Sequence, residues 1–284
     1  MAAGGVASVV VASVGAIRQA YRAGVLSWRR FSARLSTMDT KLLIEAFDAA
    51  ASSVNASLLS VRGANRRART SKPGQYAIDI IADEAALRVL SKLPVAIMSE
   101  ESGLSGDRSS PIIVVIDPVD GSSNAARDIP YWATSICAMD AGGLLAAVVV
   151  NQETGVRFHV VRGEGATRNG ERIYSSEVTR VEDSVIALSG LPGLVLPWKQ
   201  FRVLGSAALA LCDVACGAVD GFLDVASWHA PWDYLGGVLM CSEAGAITLD
   251  AKGRALDTSD PMARRQVLAA GTPALLESLR NATL

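Results

Sequence analysis

The chain has 284 residues, 50% of them apolar and 19% charged, with a formal net charge of −1. That composition supplies a large core, in one two-part domain or two domains sharing an interface, and excludes a disordered chain. So neutral a balance offers no electrostatic footprint for nucleic acid, and two histidines with four cysteines lacking CxxC spacing give no basis for a zinc site.

In chain order, the first stretch stands apart. No acidic residue precedes Asp39, whereas Arg18, Arg22, Arg29, Arg30 and Arg34 do. The apolar run Val6 to Ile17 is too short to span a bilayer. Its charges follow the run instead of preceding it, which is the wrong order for a secretory signal. Residues 1–38 therefore read as an N-terminal extension, disordered or not native, with Met38 as the start; an acid-free leader bearing Arg and Ser leaves a transit peptide as the other reading. Without those five positive charges the net charge of −1 becomes −6.

Leu42, Leu43, Ala46, Phe47, Ala50, Val54 and Leu58 recur at helical spacing and predict an amphipathic helix from Thr40 to Val61. Gly63 to Gly74 is polar and basic, with Arg62 before it and Arg66, Arg67, Arg69 and Lys72 within, and reads either as a solvated loop or as a mobile flap beside a phosphate site. A second helix, Ile78 to Leu93, carries Asp79 and Asp83 on one face. Pro94 ends it, and the strand Val95 to Met98 runs into Ser99-Glu100-Glu101.

Ile112 to Ile116 is a run of five β-branched apolar residues between Pro111 and Pro118, read as a buried strand. It leads into Asp117-Pro118-Val119-Asp120-Gly121-Ser122-Ser123-Asn124. Pro118 keeps Asp117 extended, and Gly121 lets the chain turn with its N–H open to a ligand. Two carboxylates three residues apart at a strand end, followed by Gly and two hydroxyls, suit a hard cation facing a phosphate. An Asx-rich turn accounts for the same residues taken alone.

Trp132 to Met139, Leu144 to Asn151 and Val156 to Val161 predict an antiparallel meander, and Arg168-Asn169-Gly170-Glu171 a hairpin turn. Next come a strand at Val185 to Leu188, a small-residue helix within Gly205 to Gly217, and a strand at Phe222 to Val225. A helix opened by Trp232-Asp233 and ending at Glu243-Ala244-Gly245 precedes the strand Ile247 to Leu249. Asp233 also reads as a plain helix cap. No Rossmann fingerprint or P-loop occurs, which removes the nucleotide-fold readings. Cysteines without pairing signals indicate a reducing, cytoplasmic setting.

Taken together, Asp79 at a helix start, Glu100-Glu101 after a strand, DPVDGS from Asp117, and Trp232-Asp233 followed by Glu243-Ala-Gly resemble the Mg²⁺-dependent, lithium-sensitive family of inositol monophosphatase and fructose-1,6-bisphosphatase. The resemblance covers Thr40 to Leu279. Asn124-Ala125, Ile129-Pro130-Tyr131 and the interval from Asp224 to Asp233 look most like its archaeal dual-activity branch.

That likeness implies a layered αβαβα sandwich, the sugar-phosphatase fold, with an N-terminal half at 39–152 and a C-terminal half at 153–284. It implies two or three Mg²⁺ ions, replaceable by Mn²⁺. Glu100, Asp117 and the Val119 carbonyl would hold the first, and Asp117, Asp120 and Asp233 the second, with Glu100 reaching a third. Ser122, hydrogen-bonded to Asp79, would orient the attacking water, and the N–H groups of Gly121 and Ser122 would hold the phosphate, with Asp224 touching the sugar. Ser122 stands where Thr is commoner, which keeps the oxygen but loses a rotamer-restricting methyl. Glu101, Asp83 and Lys72 are further candidates, Asp83 as rival to Asp79. Implied substrates are inositol 1-phosphate and fructose 1,6-bisphosphate, with 3′-phosphoadenosine 5′-phosphate or histidinol phosphate next; a homodimer is implied, without nucleic acid or membrane as partner. A non-catalytic metal-binding scaffold is the alternative outside the class. Ala226 replaces an Arg often found two residues after the Asp224 position, and Ser227-Trp228-His229 is unusual.

Overall fold

The computed structural model describes residues 39–284 except Arg62, Leu194, Ala282 and Leu284. The expectations for residues 1–38 and Arg62 lie outside them. Thr40–Leu284 forms one unit.

Helix α1 (Thr40–Leu58) buries Leu43, Phe47, Ala50, Ala51, Val54 and Leu58, the face that the apolar spacing marks. It packs beside α2 (Ala77–Leu90) against a first sheet. That sheet holds β1 (Ala96–Ser99), β2 (Gly103–Gly106), β3 (Ile113–Asp120), β4 (Ala133–Asp140), β5 (Gly143–Asn151), β6 (Arg157–Val161), β7 (Gly165–Arg168) and β8 (Glu171–Arg172), in the order β2-β1-β3-β4-β5-β6-β7-β8. Only β1 and β3 run parallel; every other neighbouring pair is antiparallel. The meander and the hairpin at Asn169-Gly170 stand where the sequence places them, both turn residues having positive φ.

A second sheet, in the order β10-β9-β11-β13-β12, is built from β9 (Val185–Ser189), β10 (Gln200–Arg202), β11 (Gly221–Asp224), β12 (Ile247–Asp250) and β13 (Val267–Ala270). Between the sheets lie α4 (Ala207–Ala215) and α5 (Pro231–Glu243), while α6 (Pro273–Asn281) covers the far face of the second sheet. A one-turn helix, α3 (Ser122–Ala126), follows β3. The result is the five-layered αβαβα arrangement. Its main core lies between the sheets, around Val115, Cys137, Val149, Leu211, Tyr234 and Met240. A smaller core joins Ile186, Leu223 and Leu268 to Leu275 and Leu279. The break between sheets falls between β8 and β9, downstream of the boundary expected at 152/153.

Two helices end earlier than the sequence predicts, at Leu58 and Leu90. Strand β3 runs further, to Asp120 instead of Ile116. Its pairing passes from Asp117↔Ser135 to Asp120↔Ala133, so three steps on β3 match two on β4. Pro118 has no N–H for the ladder, and the extra residue is taken up as a bulge there. In an unbroken strand, residues three apart face opposite sides. The bulge removes that parity and lets Asp117 and Asp120 converge.

Helix α5 lies close to its neighbours because it carries Gly236-Gly237. A Cβ on Gly237 would stand 2.4 Å from Leu211 Cβ on α4, and one on Gly236 would stand 3.1 Å from Ser135 Oγ on β4. Each glycine costs about 1 kcal/mol of helix propensity. The close fit sets the depth at which the first turn of α5 presents Asp233. All four cysteines are free. Among the described residues no helix is long and apolar enough to cross a membrane.

Candidate active site

Parallel pairing of β1 and β3 in the register Ser99↔Ile116 makes Glu100 and Asp117 the next residues on adjacent strands, at the same end of the sheet. The first turn of α5 supplies Asp233 to the same place. Glu100, Asp117 and Asp233 each offer a carboxylate oxygen within 4.8 Å of the others. Asp120 is not one of that trio. Its Oδ2 accepts from Ser206 Oγ and, at 2.7 Å, from the Ala208 N–H at the start of α4. Gly121 is left-handed at φ 92°, and a Cβ there would stand 2.9 Å from Gly205 O, so the turn after Asp120 sits directly against the entry to α4.

Crowding dominates the electrostatics. Burial, then the nearby carboxylates of Asp233 and Glu101, push Glu100 up to about 8. Burial and the charges of Glu100, Asp120 and Asp233 hold Asp117 well above the carboxylate range. For Asp120, burial and Asp233 outweigh the bonds from Ser206 and Ala208, giving about 6. Burial also raises Asp79, against the Tyr76 N–H bond, to about 7. Hard oxygen donors that resist ionising together fit a divalent cation, which would relieve the repulsion.

Asp79 sits in the first turn of α2, where its Oδ2 accepts from Tyr76 N–H at 2.8 Å. Its Oδ1 is buried without a hydrogen-bond partner. The Asp79–Ser122 hydrogen bond implied by the resemblance is not formed here: Oδ2 is bonded to the helix start and Oδ1 has no partner. Asp83, the rival, is satisfied by Ser99 Oγ. Glu101 pairs with Lys72 at 3.2 Å and with Gln75. Val119 lies inside the bulge, and its N–H donates to Asp117 Oδ1 at 2.9 Å.

Part of the basic loop is not solvated as the simpler reading has it. Arg66 is buried, 3.0 Å from Asp128 and stacked 5.7 Å from the Trp132 ring centroid, because the short 3₁₀ turn Gly63–Arg67 folds it inward. Asp224 is fully buried; its Oδ1 accepts from Ala226 N–H at 2.9 Å and its Oδ2 has no partner. His229 lies between acids, with Nδ1 3.4 Å from Asp233 Oδ2 and Nε2 3.9 Å from Asp224 Oδ1. Burial lowers its pKa, but the Asp233 and Asp224 carboxylates reverse that and raise it. Sequence reasoning missed Ser206. Its signal was available as a helix N-cap, since Ser206 Oγ accepts from Leu209 N–H.

A two-sheet α/β sandwich with a metal-competent carboxylate cluster at its strand ends defines the class. The model of the inositol monophosphatase family matches residues 39–283, and the chain belongs to that family. The chain is 34% identical over 214 residues to the fructose-1,6-bisphosphatase/inositol-1-monophosphatase of Archaeoglobus fulgidus, covering 72% of this chain and 83% of that protein. It is 33% identical over 205 residues to the fructose-1,6-bisphosphatase of Pyrococcus furiosus, covering 71% and 80%. Among solved structures, a Pyrococcus horikoshii protein described as similar to inositol-1 monophosphatase superposes with a TM-score of 0.79 at 25% identity, covering 86% of this chain and 99% of that one. The chain is accordingly a phosphatase of this family.

Proposed function

We propose that the chain is a Mg²⁺-dependent phosphomonoester hydrolase acting on inositol 1-phosphate, fructose 1,6-bisphosphate or both. The observation that carries this is the convergence of Glu100, Asp117 and Asp233, from three separate elements, to within 4.8 Å. The archaeal relatives named for those two activities favour the substrates. Glu100, Asp117, the Val119 carbonyl, Asp120 and Asp233 would hold two or three Mg²⁺, with Mn²⁺ as a substitute. When bound, such ions polarise the phosphoryl group, offset charge on the leaving oxygen and make water a competent nucleophile near neutral pH.

The chain's own groups do the rest. Asp79, raised to about 7, suits a proton acceptor at physiological pH, and its partnerless Oδ1 is the atom that would take the proton. Ser122 would orient the water, and the Gly121 and Ser122 N–H groups would meet the phosphate oxygens. Asp83, already bonded to Ser99, is the weaker candidate for the acceptor. Asp224 would reach the alcohol half of the substrate. Lys72 and Glu101, paired at 3.2 Å, tie the basic loop to the strand end that carries Glu100. We place the reaction in the cytoplasm, in keeping with four free cysteines, and expect a homodimer.

Phosphate release from inositol 1-phosphate and fructose 1,6-bisphosphate, with Mg²⁺, Mn²⁺ or chelator, tests the reading; 3′-phosphoadenosine 5′-phosphate and histidinol phosphate complete the panel. Metal-dependent release from at least one of the first two is expected. No metal-dependent release from either refutes it.

A further inference from the structure

A cavity of about 190 Å³ opens against Asp120, between the ends of β9 and β11 and the loop entering α4. Its walls are largely apolar, with Leu188, Val203 and Phe222 among them. Four lining side chains carry polar atoms: Asp120, Ser189, Ser206 and His229. Two of these are already assigned: Ser206 Oγ donates to Asp120 Oδ2, which the Ala208 N–H also occupies, and Asp120 is one of the acids proposed to hold metal. That leaves Ser189 and His229, joined by a 3.1 Å hydrogen bond between Ser189 Oγ and His229 Nε2.

The backbone goes to some length to aim His229 inward. Ser227 adopts φ 56°, a left-handed conformation that costs a non-glycine residue about 1 kcal/mol or more. The strain is held by Ser227 Oγ on Gln266 Oε1 at 3.0 Å, and by Gln266 Nε2 on Asp224 O at 3.1 Å. Its consequence is a division of neighbours: Trp228 is 79% exposed, whereas the His229 side chain is 17% exposed and faces the cavity. The Arg265 N–H on His229 O, at 2.9 Å, locks that choice.

We propose that the Ser189–His229 pair recognises a hydroxyl on the alcohol half of the substrate, and that the cavity takes the phosphomonoester of an uncharged polyol in preference to a bisphosphate. This rests on the phosphatase reading above. The Ser189 hydroxyl can rotate to donate to, or accept from, a substrate hydroxyl while His229 keeps it in place. Among the described residues that line the cavity none is Lys or Arg, and Asp120 is there instead. A second phosphate would therefore bring two charges into a largely apolar pocket that holds Asp120 and whose basic side chain, His229, already faces Asp233 and Ser189. Size argues in the same direction: pockets for drug-sized ligands hold roughly 300–1,000 Å³. The smaller volume here suits one sugar-sized ring better than a nucleoside.

The test is steady-state kinetics under Mg²⁺ on inositol 1-phosphate, fructose 1,6-bisphosphate and p-nitrophenyl phosphate, whose alcohol carries no further hydroxyl. The full chain is compared with Ser189→Ala, His229→Ala and His229→Gln. The unaltered chain is expected to prefer inositol 1-phosphate over fructose 1,6-bisphosphate by about tenfold or more in kcat/KM, the scale of one unmatched polar group. Ser189→Ala should raise KM for inositol 1-phosphate about tenfold while p-nitrophenyl phosphate changes by less than about twofold. His229→Gln should recover part of what His229→Ala loses. Equal losses on both esters would mean that the pair only steadies Asp233, and would overturn the proposal while leaving the phosphatase reading intact. An equal or greater kcat/KM for the bisphosphate would overturn it likewise. No metal-dependent release from any of the three esters overturns both.

Discussion

Asp117→Asn removes one ionisable group from the acid trio while keeping its shape. The amide oxygen retains the 2.9 Å bond from Val119 N–H, and the new NH₂ faces Glu100, with which the native carboxyl already shares a hydrogen bond. Two like charges 4.8 Å apart, the outer separation within the trio, repel by about 3 kcal/mol at an effective dielectric near 20. Much of that is already relieved in metal-free protein, because Glu100 is pushed up to about 8 and Asp117 is held well above the carboxylate range, so the pair retains protons at neutral pH. The remaining gain for the variant is about 1–2 kcal/mol, or roughly 3–6 °C in Tm for a domain of this size. Thermal unfolding followed by circular dichroism, in chelator and then in Mg²⁺, measures both sides of the argument. The variant should melt higher than the unaltered chain in chelator, should lose the Mg²⁺-dependent rise in Tm, and should lose about three orders of magnitude in kcat/KM. A Tm in chelator below that of the unaltered chain, or an undiminished response to Mg²⁺, refutes the reasoning.

Three further outcomes follow from the same geometry. Asp79, Glu100 and Asp120 have pKa values raised to about 7, 8 and 6, so the folded state holds protons that the unfolded chain releases near pH 4. Their stabilisation is full below that pH and is lost as pH rises through 6–8, so Tm in chelator should fall from pH 5 to 8; a Tm that rises across this window contradicts the sign. Arg66→Ala strips a buried cation from Asp128 and from the Trp132 face; since Asp128 is 60% exposed the cost is about 1–3 kcal/mol, read as a fall in urea midpoint, and no change would show the loop docks without it. Gly237→Ala puts a methyl 2.4 Å from Leu211 Cβ and should destabilise by about 1–3 kcal/mol while lowering kcat through displaced Asp233; unchanged stability with unchanged kcat would show that α5 tolerates the shift.

What was legible in the sequence has a common property: it is local. The run Ile112–Ile116, the meander and the Asn169-Gly170 hairpin each carry their signal within about ten residues, and each stands as expected. Strand order is different, because period-two alternation assigns faces but not neighbours. Nothing local says that β1 lies beside β3 in the register that sets Glu100 next to Asp117. Their meeting could be anticipated only through the family likeness. Val267–Ala270 escaped notice because four small apolar residues carry no distinguishing period, and Ser189 and Ser206 because only packing turns them toward one cavity.

The acids themselves explain why a plain turn or cap and a functional site were so hard to separate from sequence. Asp79 accepts from Tyr76 N–H, Asp117 from Val119, Asp224 from Ala226 and Asp233 from Ala230, at 2.7–2.9 Å in each case. Every one of these bonds is an Asx-type or helix-start contact within three residues, the arrangement that makes Asp common in turns and caps. A carboxylate has two oxygens, however, and the local bond uses one. It fixes the side-chain torsion and leaves the second oxygen without a local bond: Asp117 and Asp233 each offer an oxygen to the acid cluster, and the second oxygens of Asp79 and Asp224 are partnerless. Asp is the shortest side chain that can serve both purposes. Capping is thus one way this chain holds mutually repelling carboxylates at fixed positions, alongside the His229 ring that Asp233 and Asp224 share, and the structural and chemical readings of these residues describe two corners of the same group.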